Sequence, residues 1–136
     1  MKPLPPSDHA LVIRTDFSNQ AAWDAIKSII SKPVDGFYAY VHYVDDPEYD
    51  RMTREQLLEL FRNYNQTYAM VVDDVTVSRP DYPILVVDVF EDSGAEFRAI
   101  PSMIQSVENN LSIANMDFED FANAVDETGV FRGFPY

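Results

Sequence analysis

The chain has 136 residues, enough for one core that buries about two thirds of the surface exposed in its unfolded form. Hydrophobic residues make up 46% and aromatic residues 13%, which excludes a disordered chain because that much apolar area offsets the entropy lost on ordering. A formal net charge of −13, from 23 acidic and 10 basic side chains, argues against nucleic acid as a ligand and leaves an electropositive partner, or simple solubility, as its meaning.

There is no cysteine, so disulfides and thiolate metal sites are excluded, as suits a reducing compartment. The N-terminal MKPLPPSDHA carries no apolar targeting core, and no later stretch reaches the length of a membrane span. The expectation is a cytoplasmic protein with no membrane association.

In chain order, residues 1–9 hold three prolines and read as a flexible proline-rich arm; residues 10–136 read as a single globular domain. Ala10 to Phe17 (ALVIRTDF) is an apolar, β-branched strand, with Ser18 placed to cap the helix that follows. From Asn19 to Ser31, Ala22, Trp23, Ile26, Ile29 and Ile30 recur at helical spacing, and Pro33 and Gly36 end the helix. Phe37 to Val44 (FYAYVHYV) reads as a second strand stopped by Asp45-Asp46-Pro47. Thr53 and Gln56 form a capping box ahead of a helix over Arg54 to Tyr64, with Met52 and Leu57 spaced as a hydrophobic staple.

Three strands are then predicted, Tyr68 to Val77, Ile84 to Phe90 and Glu96 to Ile100, with short connections that imply antiparallel neighbours. One connection is the Glu91-Asp92-Ser93-Gly94 turn. The near-continuous apolar text of ILVVDVF places its strand centrally, covered on both faces. Pro101 starts a helix with Ile104, Val107 and Leu111 on one side. Asp117 caps a last helix bearing Phe118, Phe121, Ala122 and Val125, which Gly129 can end. The order β-α-β-α-β-β-β-α-α predicts an α/β fold, with α+β as the neighbouring class: a five-stranded mixed sheet with helices on its faces.

Chemistry is sparse. Asp16, Asp45, Asp46, Asp73, Asp74 and Asp88 form an acidic constellation; the first three stand at predicted C-terminal strand ends, where α/β sheets bind ligands, and could hold Mg²⁺ or Mn²⁺ in a hydrolase of a phosphorylated small molecule. Acids also stop strands and cap turns, and the chain has no P-loop, no GxGxxG and only four glycines. Asp88 interrupts an apolar strand, so it needs a partner, for which Arg98 and Arg14 are the candidates; it is also one of two candidate catalytic groups. The other is His42, a strand histidine with no nucleophile elbow around any serine to serve. Tyr38, Tyr40, Tyr43 and Tyr49 could form an aromatic binding surface, or be divided between core and solvent by strand alternation.

The most specific text is Glu108 to Phe134, ENNLSIANMDFEDFANAVDETGVFRGF. Its polar residues Asn109, Asn110, Asn115 and Arg132 could bind a polar ligand at a helix–helix corner or tie loop backbone in place. LVIRTDFS at Leu11 to Ser18, VDDP at Val44 to Pro47, FRAIPS at Phe97 to Ser102 and ENNLSIANMDFEDFA followed by GVFRGF together resemble an uncharacterised family of small acidic microbial domains, a domain of unknown function. The resemblance covers almost the whole chain after the arm and implies no activity, cofactor or catalytic residue. With acidic charge and no catalytic signature, the expected function is a non-catalytic protein-binding module, of inhibitor or immunity type, for a basic partner. The metal-dependent hydrolase is the alternative.

Overall fold

In the computed structural model, which describes residues 1–90 and 94–134, ALVIR forms β1 (Ala10–Arg14) with every residue buried. Its alternation serves two cores at once. Ala10 and Val12 pack on one face of the sheet, Leu11 and Ile13 on the other, as the two-residue period of a strand requires. β3 (Tyr68–Val72) divides in the same way, with Tyr68, Met70 and Val72 on the first face and Ala69 and Val71 on the second. Strands covered on both sides need no polar alternation, which is why these segments read as continuous apolar text.

β2 (Val41–Val44), β4 (Ile84–Asp88), β5 (Glu96–Ala99) and β6 (Val130–Phe131) complete the sheet, ordered β2-β1-β3-β4-β5-β6 among the described residues. β1 is parallel to β2 and β3, β4 is antiparallel to β3 and β5, and β6 is parallel to β5. This is the expected mixed sheet with helices, but with six strands in place of five. The added strand escapes periodicity because only Val130 and Phe131 pair, with Arg98 and Ala99.

α1 (Gln20–Ile30) carries the β1–β2 crossover and buries Trp23, Ile26 and Ile30 on the first face. α2 (Arg54–Phe61) carries the β2–β3 crossover and buries Leu57 and Phe61 on the second. Crossovers of one hand that run in opposite directions must use opposite faces. The predicted Thr53–Gln56 capping box is present, although the helix stops at Phe61, short of Tyr64. Asn19 caps α1, its carboxamide oxygen accepting from the Ala22 amide at 3.0 Å, while Ser18 turns back to Asp16.

The strand predicted over Tyr68 to Val77 ends at Val72, and the β-branched text after it is α3 (Asp74–Ser78). Asp73 accepts from the Thr76 amide at 3.0 Å and the Asp73 amide donates to the Thr76 hydroxyl at 3.2 Å, a capping box that overrides the strand preference of the valines. A 3-10 turn at Pro101–Met103 leads into α4 (Ile104–Leu111), and α5 (Phe118–Ala122) follows; both pack on the first face. Gly129, with φ 80°, does not end α5 but forms the turn that Asp126 closes before β6. The predicted turn at Glu91, Asp92 and Ser93 lies outside the described residues.

The N-terminal arm is held along its length. Leu4 joins the second core, Tyr49 donates its hydroxyl to the carbonyls of Lys2 and Pro3 at 2.9 Å, Tyr64 donates to Pro5, and Lys2 pairs with Asp46 at 2.6 Å. Deleting residues 1–6 is expected to lower the unfolding free energy by about 2 kcal/mol, mainly from re-exposing apolar surface around Leu4. A urea midpoint unchanged by the deletion would show that the strap contributes nothing.

Candidate functional site

β1 and β3 lie side by side and parallel, and the crossovers leave the sheet around them on opposite faces, so a crevice opens beyond their C-terminal ends. A cleft of about 440 Å³ fills it, lined by Thr15, Asp16, Arg51, Met52, Asp73 and Asp74. A second cleft of about 230 Å³ shares Thr15, Met52 and Asp73 and runs along the α2 side to Leu57, Val87 and the Arg54–Glu96 ion pair.

Thr15 closes β1 onto β3: its amide donates to the Val72 carbonyl at 2.9 Å, its hydroxyl to the same oxygen at 3.3 Å, and its own carbonyl accepts from the Arg51 amide at 2.8 Å. Asp16 is folded by a short turn and accepts the Ser18 amide at 2.9 Å. Asp73 takes a two-pronged grip from Arg98, at 3.0 and 2.8 Å, and the same guanidinium donates to the Pro83 carbonyl at 3.0 Å. Burial alone would push the Asp73 carboxyl up, but the Arg98 hydrogen bonds and the Thr76 amide outweigh it and hold the group below its ordinary value. Asp74 and Arg51 share the cleft without an ion-pair partner among the described residues. No nucleophile is set against a base among the lining side chains, since the Thr15 hydroxyl is spent on a backbone carbonyl. The arrangement is equipped to bind charged groups.

Of the three acids predicted at strand ends, only Asp16 lines this cleft. Asp45 accepts from Arg14 at 3.2 Å. Asp46 caps the 3-10 turn Pro47–Tyr49 and pairs with Lys2, which by its hydrogen bond holds the Asp46 carboxyl low. Among the described residues, no group of three or more His, Cys, Asp or Glu is placed to hold a metal ion. Asp88 does not pair with Arg98 or Arg14 as expected. It stands at the end of β4, half-buried, and accepts from the Phe90 amide at 3.0 Å, so the strand carries no interior charge. Arg14 is instead the buried tie between β1, α1 and β2: it donates to the Asp16 carbonyl, Gln20 and Asp45, and lies 4.5 Å from the Phe17 ring centroid. His42 sits half-buried on β2 without a side-chain hydrogen bond among the described residues.

Asp73 and Asp74 belonged to the acidic constellation but were not placed at a strand end, and Thr15 and Arg51 were absent from the candidates drawn from the sequence. The Asp73–Thr76 spacing was a legible signal that a helix starts there; nothing in the text marks Arg51, which reaches the cleft only because its backbone, at φ 56°, bonds to Thr15.

A family model described as a domain of unknown function, DUF6924, matches residues 9–134. The chain belongs to this family. A search of the curated proteins finds no match. The match leaves out nearly all of the proline-rich arm and takes in the whole DUF6924 sheet.

The conspicuous polar block of this DUF6924 domain divides among separate tasks. Asn110 and Asn115 bond to each other at 2.8 Å, and the Asn110 carbonyl accepts from the Asn115 amide, which fixes the turn between α4 and α5. Arg132 is held by Asp81 and Asp126 at 2.7 and 2.8 Å. Asn109 points elsewhere: it donates to the Tyr38 carbonyl at 2.8 Å, and its neighbour Glu108, buried, accepts the Tyr40 amide at 2.6 Å. These contacts lie at the N-terminal end of β2, whereas the cleft lies beyond the C-terminal ends of β1 and β3, so the block is no part of the cleft.

Proposed function

We propose that this domain is a non-catalytic binding module for a basic protein partner. The observation that supports it is how the ion pairs are distributed. Among the described residues, every lysine and arginine except Lys32, Arg51 and Arg79 is already held by an Asp or Glu of the same chain. The excess carboxylates behind the net charge of −13, Asp16 and Asp74 among them, are left without an internal cation. Uncompensated charge of one sign raises the encounter rate with an oppositely charged surface and rejects like-charged ones.

The test is capture on the immobilised domain at low salt, followed by affinity measurement with the purified partner. A basic protein whose affinity falls steeply as ionic strength approaches the range where the screening length is about 10 Å is the expected result. Capture of nothing at low salt, or of a partner indifferent to salt, would sink the reading.

A further inference from the structure

Among the described residues, the β2 edge of the sheet is open. β2 ends the strand order, pairs only with β1, and its outer side makes no backbone hydrogen bond to the described residues. The opposite edge strand, β6, is only two residues long and fully buried. An edge left unpaired is a template for another strand, and proteins ordinarily blunt it with lysine, proline or a covering segment. β2 reads Val-His-Tyr-Val and carries none of these within it.

The approach to this edge carries an apolar surface. Phe37, Tyr38 and Tyr40 are 62%, 50% and 58% exposed, a cluster of large exposed rings among the described residues. Their backbone is nonetheless fixed. Val34 and Phe37 exchange amide–carbonyl bonds of 2.8 and 2.9 Å across Asp35 and Gly36, both at positive φ, a tight hairpin turn. Glu108 and Asn109 then hold Tyr40 and Tyr38 by their main chain, and His9 stacks on the Tyr40 ring at 6.2 Å. Rings presented on an ordered backbone lose little entropy when a partner covers them. Here the Glu108–Asn109 pair of the polar block has a use that the cleft does not give it.

Charge selects the occupant. Asp8 precedes His9, whose ring stacks on Tyr40, Asp35 lies in the turn before Phe37, and Asp45, its side chain 45% exposed, follows the C-terminal end of β2. A second copy of this chain would bring the same carboxylates and a charge of −13 against them. We propose that the β2 edge with the Phe37–Tyr40 rings is the docking surface, and that it takes an extended basic segment of a protein partner, added to β2 as a further strand. This rests on the binding-module reading.

The probe is a labelled heptapeptide alternating lysine and valine, with two controls: one with its central valine replaced by proline, and one with glutamate in place of lysine. Expected are salt-sensitive binding of the first peptide alone, slowed hydrogen exchange at β2 amides on binding, and affinity about tenfold weaker in the doubly substituted Phe37→Ser, Tyr40→Ser protein. Both positions are exposed, and an unchanged melting curve verifies that the variant is folded. Equal binding of the proline peptide, unchanged exchange at β2, or self-association through β2 would overturn the strand-addition proposal. If a captured basic partner binds the double variant as tightly as the original domain, the docking site falls while the binding-module reading survives; if no basic partner is captured at all, both fall.

Discussion

Phe121→Ala is expected to reduce the unfolding free energy by about 4 kcal/mol, a large part of the total for a domain of this size. Phe121 is fully buried, stacks on Phe97 at 6.0 Å, meets Phe131 edge-on at 5.1 Å and touches Phe134 at 5.3 Å between centroids. Its helix, α5, has five residues, too few to persist by its own hydrogen bonds, so this ring is what keeps it on the sheet. Urea unfolding gives the magnitude, and hydrogen exchange at 118–122 gives the location. A loss under about 1 kcal/mol would mean that the aromatic cluster does not secure α5. Phe118, only partly buried, makes the contrasting variant: its truncation should cost clearly less.

Arg98→Met is the second large effect, expected to cost about 3 kcal/mol at neutral pH. The guanidinium sits between the Asp73 carboxylate and the Pro83 carbonyl, and its removal strands a mostly buried charge that also caps α3. The pH dependence carries the signature. The Asp73 carboxyl is held low in the folded state, burial opposing and the Arg98 and Thr76 bonds prevailing. It therefore contributes stability above the unfolded value of about 4, and that contribution is lost as pH falls through the lower folded value. In the variant only burial and the cap remain, so the difference between the two proteins should be greatest near neutrality and shrink below about pH 4. A difference independent of pH would show that the arginine acts by packing alone. The same substitution leaves Asp73, a lining residue of the strand-end cleft, without its cation.

The candidate site was legible in part. Asp16 was marked by its place at the end of an apolar strand, because chain direction and the strand-end rule are both readable in one dimension. Its companions were not. Asp73 and Asp74 stood in view but were absorbed into a strand, since valine and threonine outweighed a capping pattern of only four residues. Asp45 and Asp46 were legible as acids but not as partners of Arg14 and Lys2, because ion pairs between residues this far apart depend on which strands become neighbours. Asp88 was assigned a buried charge because its strand was read two residues too long, to Phe90; the strand ends at Asp88 itself, where a carboxylate meets a turn amide.

Sequence by itself determined the α/β class, the first two strands with the helix between them, the Thr53–Gln56 cap and the acidic excess. These are local or additive: periodicity records which face of an element is dry, capping needs four consecutive residues, and charge is a sum. Tertiary structure alone decided that Asp73 meets Arg98, that Arg14 rather than Asp88 is the buried charge at the strand ends, that the arm is strapped by Tyr49 and Tyr64, and that β2 is left as the open edge beside exposed rings. Each of those depends on strand order, and strand order follows from which faces can bury each other once the chain has closed, a property of packing that no single stretch of the chain contains.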